Sequence, residues 1–258
     1  MNYGSIDIAL LVQIAHLAGD AIMEIYNTEF SVEPKDDESP LTLADKRAND
    51  VIQSKLFEHY PDIPYLSEEG KSIAYDVRKS WTKFWLIDPL DGTKEFVKKN
   101  GEFTVNISLI EDGQPVLGIV FAPALKKTYV GVNGFGAFRF ENNTFIPIGQ
   151  NNIHHSQKSE LTIVASRSHL SDETKDYIDI VSKDKQIEFV SSGSSLKFCL
   201  VAEGVADIYP RLAPTMEWDT AAAQAVAENA GRKVINLNTG MSLTYNKPNL
   251  LNPYFVVE

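Results

Sequence analysis

The chain has 258 residues, of which 43% are hydrophobic and 23% charged, a composition that excludes disordered, collagen-like and coiled-coil classes. Its 24 Lys and Arg against 35 Asp and Glu leave a formal net charge of −11. That balance argues against a general nucleic-acid or anionic-membrane binder, because phosphate backbones are held by Lys and Arg. A small anionic substrate stays allowed where cations or a local basic cluster mediate. The single cysteine, Cys199, excludes an internal disulfide and a Cys-rich zinc site and fits a reducing compartment.

The length suits one large domain or two closely packed lobes. No basic residue precedes Lys35, so the N-terminus lacks the positive region of a secretory signal. The longest apolar run there, residues 8–12, is too short to span a bilayer. A cytoplasmic address follows, without stable membrane insertion; peripheral association with an inner membrane stays compatible.

Taken in chain order, Ile8, Leu11, Ala15, Ala18, Ile22 and Ile25 repeat at helical spacing over 6–26. A second helix is predicted over 43–60, ended by Pro61. Residues 84–87 (Phe-Trp-Leu-Ile) read as a buried strand. Residues 103–109 alternate and predict a half-buried strand. Strands at 116–121, 128–132, 137–140 and 144–148 follow, separated by Asp112-Gly113, Asn133-Gly134 and Asn142-Asn143, which predicts an antiparallel meander.

After about residue 150 the rhythm changes. Strands are predicted at 161–165 and 187–190 around a helix over 171–182. Further helices are predicted at 195–203 and 218–230, the latter stopped by Gly231, and short strands at 206–209, 232–235 and 254–257. The polar stretch 151–159 is the expected seam between an N-terminal lobe (1–150) and a C-terminal lobe (151–258) of one catalytic domain. The fold class expected from this order is mixed α and β, α+β, in layers.

The densest chemistry is Trp85-Leu86-Ile87-Asp88-Pro89-Leu90-Asp91-Gly92-Thr93. A buried strand ends in two carboxylates three residues apart, and Gly92-Thr93 opens a predicted helix over 93–99. Converging carboxylates suit a hard divalent cation such as Mg²⁺, which takes oxygen ligands. Gly92 lets the backbone approach a ligand closely, and amides at the helix start would face a phosphate. A plain strand-to-helix turn is the competing reading, since Asp-Pro and Asp-Gly are ordinary turn formers. An EF-hand is excluded because the twelfth position from Asp88 is Lys99.

The string Asp88-Pro89-Leu90-Asp91-Gly92-Thr93 resembles the signature of the inositol monophosphatase superfamily of Mg²⁺-dependent, lithium-sensitive phosphatases. Its extension through Lys94-Glu95-Phe96, with Asn100-Gly101-Glu102-Phe103-Thr104-Val105-Asn106-Ile107, resembles the 3′(2′),5′-bisphosphate nucleotidases of the CysQ type, enzymes of sulfur assimilation. Ser67-Glu68-Glu69, Tyr209-Pro210-Arg211 and the stretch from Glu217 to Ala222 match as well. The resemblance implies an α-β-α-β-α sandwich. It implies Glu68, Asp88, Asp91 and Asp219 as metal-ligand side chains, the Leu90 carbonyl as a backbone ligand, and two or three Mg²⁺ per site. Asp45 and Thr93 would be catalytic, orienting and deprotonating the attacking water, with Glu69 supporting them. Substrate contacts would come from Glu68, Leu90, Asp91, Gly92, Thr93, His169, Ser194, Lys197, Arg211 and Asp219.

Several of these residues have plainer readings. Asp45 follows Thr42 by three and could complete a capping box. Asp219 could favour the positive end of its own helix, although a buried Trp218 before it favours the ligand role. Glu68 and Glu69 could be a solvated turn, and Lys35 beside Asp36-Asp37 loop charge. His154-His155 reads as solvent-exposed and Cys199 as a core thiol.

Arg211 and Lys197 decide the substrate reading. A guanidinium is the natural fork for a second phosphate, and Gly193-Ser194-Ser195 heads a helix with Lys197 one turn in. This favours adenosine 3′,5′-bisphosphate, cleaved at the 3′-phosphate to AMP, with 3′-phosphoadenylyl sulfate a further candidate. Inositol monophosphatase or a related sugar phosphatase is the alternative, and a nucleotide or metal sensor the non-enzymatic one. A dehalogenase-type phosphatase would need Asp-x-Asp, one residue shorter than the spacing here. A homodimer is compatible with the sequence.

Overall fold

The structure is a computed structural model and describes residues 1–28, 40–149, 155–165 and 171–258. A two-strand hairpin, β1 (Asn2–Tyr3) and β2 (Ile6–Asp7), leads into α1 (Ile8–Tyr26), whose N-cap Asp7 accepts from the Ala9 amide. Helix α2 (Pro40–His59) packs on α1. Its start corrects the capping-box reading: Thr42 and Asp45 both lie inside the helix.

Seven strands form the main sheet: β3 (Tyr65–Ser67), β4 (Lys83–Asp91), β5 (Thr104–Glu111), β6 (Gln114–Ala122), β7 (Lys127–Val132), β8 (Gly136–Glu141) and β9 (Thr144–Ile148). They lie in chain order and pair antiparallel except for β3, which is parallel to β4. The meander is as predicted, whereas the three-residue β3 and the four-residue α3 (Tyr75–Arg78) gave no periodic signal. Helix α4 (Thr93–Val97) is shorter than predicted because Lys99 turns into positive φ.

Strand β5 is buried on both faces rather than one. Phe103 precedes it, and Val105, Ile107 and Leu109 join the core beneath α1 and α2. Its polar alternates Thr104, Asn106 and Ser108 point the other way and are as buried. A second helix layer explains this. Helix α7 (Ala221–Asn229) lies so close that a Cβ on Gly118 would meet the Ala222 carbonyl oxygen at 2.1 Å, and one on Gly131 that of Ala225 at 2.3 Å. The alanine-rich face of α7 and those glycines bring helix and sheet into contact.

Beyond α7 and α6 (Leu196–Glu203) lies a second sheet. Parallel β10 (Glu160–Ala165) and β11 (Gln186–Ser191) meet the order β12 (Tyr209–Arg211), β14 (Phe255–Val257), β13 (Val234–Asn236) through a bridge from Ile163 to Ile208. Helix α5 (Asp172–Val181), capped by Ser171, covers its outer face around Ile178. The layers therefore run helix, sheet, helix, sheet, helix.

Two histidine expectations meet the structure differently. His155, in a short 3₁₀ turn (His155–Gln157), is not exposed: its side chain is 12% accessible and its Nε2 lies 3.6 Å from Glu258. Its neighbour His154, with His169, Lys35 and the first part of the seam (151–154), lies outside the described residues. Cys199 is fully buried on α6, as expected.

Candidate active site

The motif is built on a strand irregularity. In the β4–β5 ladder Asp88 pairs with Asn106 and Asp91 with Thr104, so Pro89 and Leu90 together oppose Val105. The extra residue bends the end of β4 and turns both carboxylates to one side. Asp88 is 1% exposed; its Oδ1 accepts from the Leu90 amide at 3.0 Å and its Oδ2 has no hydrogen-bond partner among the described residues. The Leu90 side chain is in the core, leaving its backbone at the site. Gly92, at φ +91°, carries the chain into α4; a Cβ there would meet Phe103 and Ser194 at 3.2 Å each.

Glu68, Asp88 and Asp219 each bring a carboxylate oxygen within 4.8 Å of the others. Glu68 reaches this point from the end of β3, its amide bonded to the Ile87 carbonyl beside Asp88. Asp219 comes from the turn before α7, where the Met216 amide donates to its Oδ2 at 2.9 Å. That turn is anchored by Glu217, not by Trp218. Glu217 is fully buried and accepts from the Asn246 and Lys247 amides and from Lys247 Nζ, whereas Trp218 is half-buried.

Asp45, 6% exposed on the inner face of α2, lies beside Glu69, and its Oδ1 has no hydrogen-bond partner among the described residues. Asn49, one turn on, accepts from Ser67 Oγ at 2.8 Å and so ties α2 to β3. Burial, then repulsion from Glu69 and Glu68, pushes the Asp45 carboxyl up to about 9. Burial, then Asp91, Glu68, Asp219 and Asp45, holds Asp88 well above the usual range. Burial and Asp91 raise Asp219 to about 7, against the opposing pull of the Met216 hydrogen bond. Mutually repelling oxygens, two of them buried without a hydrogen-bond donor, fit a hard divalent cation. Thr93 stands exposed at the start of α4.

Beside the acids lies a cavity of about 190 Å³ lined by Asp91, Gly92, Ser194, Lys197, Arg211 and Asp219, among others. Lys197 is buried; its Nζ donates to the Ser194 carbonyl at 2.8 Å and lies over the Tyr209 ring. Burial lowers its ammonium to about 8, against the pull of Asp91. Arg211, at the end of β12, donates from Nη2 to the Pro214 carbonyl at 3.0 Å, while its buried Nε has no partner among the described residues. A larger cavity, about 530 Å³, lies between α1 and the β8–β9 turn around His16, Asp20 and Thr128; among the described residues no set of converging carboxylates serves it.

Every expected site residue within the described chain lies in the acid cluster, the cavity wall or the adjoining turns. Sequence reasoning missed Asn49 behind them, and placed Thr104, Ser195 and Glu217 within motifs without assigning them the role of holding the acids in place.

Residues 6–254 match the inositol monophosphatase family, and the chain belongs to it. Within that family it is 47% identical over 248 residues to the 3′(2′),5′-bisphosphate nucleotidase CysQ of Salmonella typhimurium, covering 95% of this chain and 96% of the relative. The enzyme of the same name from Escherichia coli K12 is 45% identical over 249 residues, 95% of this chain and 97% of the relative. Among solved structures, CysQ of Bacteroides thetaiotaomicron superposes with a TM-score of 0.88 at 43% identity, over 97% of this chain and 96% of that one. Inositol monophosphatase II of Staphylococcus aureus, at 23% identity and TM-score 0.77 over 97% of this chain and 90% of that one, shares the fold. Membership of this family sets aside the dehalogenase reading of the Asp motif.

Proposed function

We propose that this protein is a 3′(2′),5′-bisphosphate nucleotidase that hydrolyses the 3′-phosphate of adenosine 3′,5′-bisphosphate to AMP and phosphate. The observation that carries the reading is the pairing, in one cleft, of the carboxylate cluster with Lys197 and Arg211. A monophosphate needs only the first; a second phosphate needs the second.

Glu68, Asp88, Asp91 and Asp219, with the Leu90 carbonyl, would hold two or three Mg²⁺. Such ions, when bound, neutralise charge on the transferring phosphoryl group and activate water. The chain's own residues do the rest. Asp45 and Thr93 orient the attacking water, and the unpartnered Asp45 Oδ1, in the ionised form that a bound cation would favour, is the acceptor for its proton. The water oxygen joins phosphorus, the P–O3′ bond breaks in line, and the ribose oxygen takes up a proton as it leaves. Ser194, Lys197 and Arg211 grip the 5′-phosphate, which fixes the direction of attack. His169 is assigned to the nucleoside by the resemblance alone. The two lobes then divide the work within one catalytic domain, residues 1–150 supplying most acids and 151–258 the cations and Asp219. The 3′-phosphate of phosphoadenylyl sulfate presents the same group to the same residues. A cytoplasmic address suits this substrate.

Purified protein with Mg²⁺ should release phosphate from adenosine 3′,5′-bisphosphate with a far higher kcat/KM than from inositol monophosphate or fructose bisphosphate. Preference for inositol monophosphate would overturn the reading.

A further inference from the structure

The polar face of β5 is buried where a sheet face ordinarily carries apolar side chains, and it leads directly to the site. Thr104 and Asn106 are the cross-strand partners of Asp91 and Asp88, and they are 0% and 1% exposed. Thr104 Oγ1 donates to Asn106 Oδ1 at 3.2 Å and lies 2.6 Å from Ser194 Oγ. Asn106 Nδ2 donates to Ser195 Oγ at 3.0 Å. Ser195 Oγ lies 3.0 Å from Asp91 Oδ2 and 2.9 Å from the main-chain oxygen of Asp219. Ser194, in the left-handed region at φ +52°, donates to the same Asp91 oxygen.

We propose that Asn106 is a positioning residue: acting through Ser195, it fixes the Asp91 carboxylate and the Asp219 turn relative to each other. The proton count supports the direction. A serine hydroxyl has one proton to give, and two acceptors, Asp91 Oδ2 and the Asp219 carbonyl, compete for it. The Asn106 amide can only donate from Nδ2, so it occupies a Ser195 lone pair and turns that proton toward the two acceptors. Asp91 Oδ2 thereby lies within hydrogen-bond reach of two hydroxyls, those of Ser194 and Ser195. One amide on the main sheet thus sets the spacing of two carboxylates carried by different elements, β4 and the turn before α7. Hydroxyl and amide partners of this kind commonly alter metal affinity or activity by about 10–100-fold when removed. Neither residue is at the water-attack position, so the effect travels through ligand geometry.

The inference rests on reading Asp91 as a cation ligand, and the test separates the two. Mg²⁺ is titrated calorimetrically into the substrate-free parent, Asn106→Leu, Ser195→Ala, the double variant, Asp91→Asn and Ser108→Ala. Ser108 is the control: it is fully buried on the same strand face but bonds the Leu117 carbonyl at 2.9 Å, away from the acids. The expected result is a roughly 10–100-fold weaker affinity in Asn106→Leu and in Ser195→Ala, with no further loss in the double variant. Ser108→Ala should bind as the parent does. Unchanged affinity in Ser195→Ala, or an equal loss in Ser108→Ala, overturns the proposal even where Asn106→Leu fails to fold. If Asp91→Asn binds Mg²⁺ as the parent does, it is the ligand reading of Asp91 that falls.

Discussion

The two walls of the cleft hold charge in opposite ways. The wall built from β3, β4 and α2 gathers carboxylates that repel one another, and burial raises Asp45 and Asp88 because the protein itself offers few donors to them. The wall built from α6 and β12 presents Lys197 and Arg211, and Lys197 stays tied to backbone carbonyls. On the proposed reading, cations from solution complete the first wall, and the second stands ready for an anion. An acidic protein of net charge −11 can therefore take a doubly anionic substrate, because the positive charge is local and its counterpart is imported.

The largest effect should come from the first wall. Asp91→Asn should lower turnover more than about 100-fold, beyond the usual loss for an outer partner of a metal ligand, while leaving the fold intact by circular dichroism. Activity above a tenth of the parent at saturating Mg²⁺ would remove Asp91 from the ligand set.

The second wall should give a smaller, substrate-dependent effect. Arg211→Ala deletes a charge-assisted contact worth roughly 1.5–3 kcal/mol, about a ten- to hundredfold change in kcat/KM for the bisphosphate. Hydrolysis of adenosine 3′-monophosphate should hardly change. Equal losses on both substrates would assign Arg211 to the fold or to the scissile phosphate.

Acidity sharpens the contrast further. Lys197, facing Asp91, Arg211, Glu95 and Glu102, is lowered to about 8 mainly by burial, so it is charged below that pH and neutral above it. The kcat/KM for the bisphosphate should fall by roughly tenfold as pH rises through about 8, and that for the 3′-monophosphate should lack this limb. A shared limb would place the titrating group elsewhere.

The smallest effect concerns stability. Asp219 and Asp45 have folded values raised to about 7 and about 9 from 3.8. Their contribution to stability is present at low pH and is lost as pH rises through those values, where both must ionise in place. In chelator, Tm should decline from about pH 4, where the unfolded carboxyls begin to ionise, to about pH 9, where the last of them ionises in place, and the gain on adding Mg²⁺ should grow over the same window. A shift of several degrees is expected, since 1 kcal/mol moves Tm by about 2–4 °C in a chain of this size. A gain independent of pH would separate the acids from cation binding.

How much of this was legible in sequence followed physical locality. The main-sheet meander and the Asp88–Thr93 turn are written in contiguous residues, through alternation, turn pairs and a carboxylate-glycine string. Strand β3 is too short to carry a period, and β5 looked half-buried because its inward polar residues mimic a solvent face. Asn106 and Ser195 meet only once β5 and α6 are brought together, so no spacing could link them. The resemblance to a known family supplied Glu68 and Asp219, which lie far apart in the chain and converge only in the fold. Exposure of His155 was misread because its partner, Glu258, is the last residue of the chain.

The division between the walls can be read from the parent protein alone. With saturating Mg²⁺, kcat/KM is compared for adenosine 3′,5′-bisphosphate and adenosine 3′-monophosphate, which share the scissile group and differ in the 5′-phosphate. With Lys197 and Arg211 both engaged, the bisphosphate should be preferred by at least about ten- to hundredfold, the worth of one such charged contact. Equal values would contradict the assignment of the cationic wall to a second phosphate.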